Sequence, residues 1–100
     1  MFVHALPGAD LIQGGLRDLT AGIETVPALV VSIGAPRLKR LGVDLPRAIP
    51  DAERRLYEHL RRSHGDAAHS RYNALIRRLT SFERAAECAS PPTKSASDAS

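Results

Sequence analysis

Between residues 68 and 86, six residues stand at spacings of four, three, four, three and four: Ala68, Tyr72, Leu75, Leu79, Phe82 and Ala86. That period puts all six on one side of an α-helix, whereas in a strand they would scatter over both faces. A helix cannot leave such a stripe in water, so something must cover it. The covering helix belongs either to the same chain or to a partner. Tyr72, Leu75, Leu79 and Phe82 are therefore core candidates and also the candidate seam for a protein partner or a second copy, with internal packing the expectation.

The upstream chain supplies covering helices. Ile12, Leu16, Leu19 and Ile23 recur at helical spacing, which predicts a first helix from about Asp10 to Ala21, stopped at Gly22. Gly14 and Gly15 inside it cost about 1 kcal/mol each relative to Ala. Lacking Cβ atoms, they also permit another helix to approach closely, but the expectation is a weak spot tolerated by packing. Thr25 is an N-cap candidate, Pro27 fits a first turn, and Val26, Leu29, Val30 and Ile33 form a stripe. Gly34-Ala35-Pro36 predicts a kink or break, and Arg37 to Leu41 a short continuation ended by Gly42. Residues 42–50 carry two prolines and read as a connector whose Val43, Leu45 and Ile49 tuck into the core. Asp51 is expected to cap a third helix with Ala52, Leu56 and Leu60 on one face and Tyr57 beside it. Ser63-His64-Gly65 ends that helix, and Asp66 is expected to cap the last one.

These elements predict an all-α fold, a small four-helix bundle-like domain over residues 1–88 with its second helix kinked at Pro36 and its last helix as the central packing element. From Ala89 to Ser100 bulky apolar residues vanish, which predicts a disordered tail. Aromatics make up only 4% of the chain and Trp is absent, so Leu, Ala, Val and Ile fill the core, a mixture that favours helices. The single Cys88 cannot form an internal disulfide, and Met1 to Leu6 lack the basic start of a secretory signal, so a cytoplasmic setting is expected. The uncharged stretch Thr25 to Pro36 falls short of the ~20 apolar residues a membrane span needs.

Charge is unevenly placed. The net value is +3, but residues 37–84 hold twelve Arg or Lys against six Asp or Glu, while residues 1–36 are acidic. Such a basic half is compatible with nucleic-acid binding. Pairs at i, i+4 (Asp51 with Arg55, Arg54 with Glu58, Glu58 with Arg62) compensate much of the third helix. Arg71, Arg77, Arg78 and Arg84 on the last helix face only Glu83 and Glu87, and are the candidate phosphate-binding residues. No aromatic ladder for stacking single strands interleaves them, and no helix-turn-helix spacing stands out.

Histidines stand at 4, 59, 64 and 69, the last three five residues apart, which turns each about 140° from the one before on a continuous helix. This is not the i, i+4 arrangement of helical zinc sites, and no metal or cofactor is implied. Cys88 at a helix C-terminus sits where the dipole opposes a thiolate. Arg54 precedes His59 with four residues between, and Arg62 precedes His69 with six. An Arg followed at four to six residues by His on a small helical bundle resembles the HEPN class of ribonucleases and toxins, and that resemblance implies phosphate steadied by the Arg and a ribose hydroxyl engaged by the His. It covers those positions alone, and Arg55 or Ser63 stands where the family usually has a polar residue after its Arg. With no assembled catalytic set, the sequence is read as a non-enzymatic protein-protein interaction or accessory module, with nucleic-acid binding as the alternative and a HEPN-like ribonuclease behind it.

Overall fold

The structure, a computed structural model, describes residues 6–89. His4 and residues 90–100 of the expected tail lie outside them, and Ala89, expected to open the tail, is the last residue of the final helix. Five helices follow in order: α1 (Ala9–Thr20), α2 (Val26–Ile33), α3 (Ala35–Arg40), α4 (Ala52–His64) and α5 (Ala68–Ala89), with a single 3-10 turn (Gly65–Ala67) before α5. With α2 and α3 counted as one broken helix, this is the expected all-α four-helix arrangement. No helix among the described residues is long and apolar enough to cross a membrane.

The hub is α2, not the last helix. Its sequence, Val-Pro-Ala-Leu-Val-Val-Ser-Ile, is apolar nearly all round, and Ala28, Leu29, Val30, Val31 and Ser32 are all buried. A helix of this kind must be enclosed on every side. α1, α4 and α5 close around it, and α3 packs at its end. α5 is far longer but one-sided: Ala68, Leu79, Phe82 and Ala86 are buried while its opposite face is exposed. A regular heptad stripe marks one packed face, which is less than α2 presents.

Local chemistry fixes the ends of the hub. Thr25 Oγ1 accepts from the Ala28 N–H at 3.2 Å and donates to Asp18 Oδ2 at 2.6 Å, so one hydroxyl caps α2 and ties it to α1. At the other end Pro36 offers no N–H, and the helix breaks at Gly34 before restarting as α3. Gly34 itself is needed for proximity: a Cβ there would stand 2.8 Å from a Leu79 methyl group and 2.9 Å from Glu83 Oε2. Gly22, Gly42 and Gly65 follow their helices with positive φ, as expected of stop residues.

Three further expectations need correction. Asp51 precedes α4 but adopts a left-handed backbone (φ 59°), and its carboxylate accepts from Arg54 Nη2 at 2.7 Å instead of capping the helix. Aspartate tolerates that conformation, and the nearby guanidinium outbids the amides for its carboxylate. Asp66 lies inside the 3-10 turn, and α5 begins two residues later. Gly15 is not merely a tolerated weak spot, because a Cβ there would overlap the Pro27 carbonyl oxygen and come 2.5 Å from a Val31 methyl group. The α1–α2 interface is therefore backbone against backbone at that point. Gly14, one residue earlier, meets nothing nearer than the Arg17 guanidinium at 4.0 Å.

The connector is pinned from α2 as well. Buried Ser32 Oγ donates to the Ala28 carbonyl at 2.9 Å and accepts from the Ile49 N–H at 3.0 Å, while Val43, Leu45 and Ile49 pack against the core.

The two neighbouring glycines should respond in opposite directions. Gly15→Ala is expected to destabilise the fold by about 3 kcal/mol or more through overpacking, and Gly14→Ala to stabilise it by about 0.5–1 kcal/mol, both read from urea unfolding. Equal effects would contradict the close approach. Ser32→Ala should cost about 1–3 kcal/mol in the same measurement, because the Ile49 N–H loses its acceptor. A loss of a few tenths would mean that water replaces the hydroxyl.

Candidate interaction groove

α2 runs alongside α5 so that Val26 lies near Leu75 and Gly34 lies against Leu79 and Glu83. Below Leu75 the flank of α5 runs past the end of α2. A groove of about 380 Å³ opens there, lined by Val26 from α2, Leu60 and His64 from α4, and Arg71, Ala74, Leu75 and Arg78 from α5. The α5 residues stand at i, i+3, i+4 and i+7, one continuous strip of helix surface. Ala74 leaves the strip shallow at its centre, and Leu60, Leu75 and Val26 supply apolar surface. His64 and Arg71 are exposed at the margin.

The basic margin is only partly engaged. Arg78 Nη2 lies 3.0 Å from Asp10 Oδ1, and the Asp10 side chain is 85% exposed. Arg71 forms no ion pair among the described residues. Of the four arginines expected to act together, Arg71 and Arg78 share this strip, whereas Arg77 and Arg84 lie about 120° round the helix on its exposed outer face. They do not make a single patch. The seam residues divide likewise: Leu79 and Phe82 are buried within the chain, while Tyr72 and Leu75 are half-buried and Leu75 lines the groove. Tyr72 packs edge-on against Tyr57, with ring centroids 6.0 Å apart, and burial raises its hydroxyl pKa.

Of the positions that resemble a HEPN pair, Arg54 and His59 are otherwise occupied. Arg54 is held by Asp51 at 2.7 Å and Glu58 at 3.2 Å, while His59 Nε2 lies 3.1 Å from Glu24 Oε2, about 140° away around α4. Glu24 also accepts from Arg55 at 2.6 Å and 3.1 Å, and the Arg55 guanidinium, helped by His59, holds its carboxyl below the ordinary range. This cluster fastens the α1–α2 loop to α4. His69 is 3.2 Å from Asn73. No group of three or more His, Cys, Asp or Glu is gathered as a metal site requires among the described residues.

Glu83, counted in the sequence only as one of two acids facing the last-helix arginines, is buried beside Gly34, its side chain 8% exposed and 3.7 Å from Arg37 Nη1. Arg37 makes its shorter contact, 2.7 Å, to Glu87. The only hint in the sequence is that Glu83 follows Leu79 by four residues.

Burial pushes the Glu83 carboxyl above its ordinary value of 4.5 against the pull of Arg37 and Arg40. The folded state therefore holds this proton more tightly than the unfolded one, so its contribution to stability is complete below pH 4.5 and is lost as pH rises through the folded value. Relative to Glu83→Gln, the wild type should lose stability as pH rises above 4.5, measured by urea unfolding at each pH. A constant difference, or a wild type that gains with pH, would show that Arg37 overrides burial. No protein-family model, no curated protein and no solved structure matches this chain.

Proposed function

We propose that this protein is a non-enzymatic interaction module that docks a segment of another protein in the groove between α4 and α5. The observation that carries this reading is the α5 strip Arg71–Ala74–Leu75–Arg78, which leaves apolar side chains accessible beside the internal core and flanks them with guanidiniums. An apolar centre with a polar margin is the usual anatomy of a protein-binding surface, and Arg is enriched in such interfaces. Glu24 and His59 face each other in the contact that, with Arg55, fastens the α1–α2 loop to α4, and Arg54 is paired with Asp51 and Glu58 along α4 itself. The expected setting is the cytoplasm, where exposed Cys88 stays reduced.

Ala74→Trp fills the groove from an exposed position and spares the core. Tagged wild type and variant are compared by capture from native cells after nuclease treatment, with circular dichroism as the folding control. A protein recovered with the wild type and reduced at least tenfold with Ala74→Trp is the expected result. Equal recovery by both, or recovery that needs intact nucleic acid, contradicts the docking reading, and the second outcome would turn attention to Arg77 and Arg84. If the captured protein is a second copy of this chain, sedimentation will show a dimer that the substitution dissociates.

A further inference from the structure

Taking the groove as a protein-docking site, as proposed above, we infer that its partner segment is an acidic amphipathic helix with two carboxylates one heptad apart and apolar side chains between them. Arg71 and Arg78 are seven residues apart on one strip of α5, which sets their origins about 10.5 Å apart along the helix axis. Ala74 and Leu75 lie between them, and the largely buried Leu60 also lines the groove. A second helix lying along the groove repeats that spacing. Acids at i and i+7 meet the two guanidiniums, and residues i+3 and i+4 reach the apolar centre.

An extended segment fits poorly for a geometric reason. Three residues of strand cover roughly 10 Å, but residues an odd number apart point to opposite faces, so two carboxylates at that separation cannot both turn towards one margin. A basic segment is opposed by Arg71, Arg78 and the surrounding excess of arginine.

Asp10 already shows how the margin receives a carboxylate. It pairs with Arg78 at 3.0 Å from an almost fully exposed position, so an incoming acid competes with it, while Arg71 has no such internal competitor among the described residues. Asp10 is therefore an internal stand-in for one of the two partner carboxylates, and it weakens docking.

The test uses the full chain and three helix-stabilised sixteen-residue peptides, followed by fluorescence anisotropy at low salt. The first has glutamates at its first and eighth positions and leucines at its fourth and fifth. The second has glutamines in place of both glutamates. The third moves the later glutamate two positions on, to the far side of the helix. The first peptide should bind at least tenfold more tightly than the second and several-fold more tightly than the third. Arg71→Ala should remove most of that advantage, whereas Asp10→Asn should tighten the first peptide about threefold and leave the second unchanged. Equal affinity for glutamate and glutamine peptides, indifference to acid spacing, or no binding by any of the three overturns the inference. Where the peptides bind alike and Ala74→Trp abolishes all binding, the docking reading survives and only the acidic code fails.

Discussion

Five consecutive residues of α2, Ala28 to Ser32, are buried, and a helix only eight residues long has to be surrounded on every side to achieve that. Two close approaches make the enclosure possible. α1 comes within backbone contact at Gly15, and α5 closes over the C-terminal end at Gly34, in each case where a Cβ would collide. The remaining features follow from holding α2 in that enclosure: Thr25 and Asp18 fix its start, Pro36 ends it, and Ser32 draws the 42–50 connector across it. Dispersion between closely packed atoms falls steeply with distance, so these contacts depend on the absence of two side chains as much as on the presence of the apolar ones.

The groove follows from unequal helix lengths. α2 extends about 12 Å and α5 about 33 Å. Where α5 passes α2, from Leu75 near Val26 to Glu83 beside Gly34, Leu79 and Phe82 are buried in the core, whereas Arg71 and Ala74 lie towards or past the start of α2 and are exposed. Of the heptad stripe, Ala68, Leu79, Phe82 and Ala86 are buried within the chain, Tyr72 and Leu75 are half-buried against the core, and Leu75 alone lines the groove.

Much of the fold was legible because it depends on local rules. The 4-3-4-3-4 stripe, Thr25 as a cap, Pro36 as a breaker and the glycines at 22, 42 and 65 act within a turn or two of their own residues, and each appears where the sequence placed it. What escaped depends on contacts between distant segments. The role of Gly15 needs Pro27 and Val31 beside it, Ser32 needs Ile49, and Glu83 is buried only because Gly34 approaches α5. Asp51 misled for a related reason: its cap position was read correctly, but the competing Arg54 captured its carboxylate. The candidate site was legible only in part. Arg71, Arg78 and Leu75 were singled out, but grouped with Arg77 and Arg84 on charge and with Phe82 on period, whereas the groove combines them with Val26, Leu60, His64 and Ala74.

The central claim is that the open flank of α5, and not its basic outer face, is the surface this protein uses. Backbone amide shift mapping of the isotope-labelled chain, titrated with the peptide carrying glutamates one heptad apart, tests it residue by residue. Perturbations concentrated at Val26, Leu60, His64 and the Arg71 to Arg78 strip, with Arg77 and Arg84 affected least among the α5 arginines, are the predicted result. Shifts centred on Arg77 and Arg84, or spread evenly over the basic residues of α3, α4 and α5, would contradict it and show a charged surface without a groove-specific site.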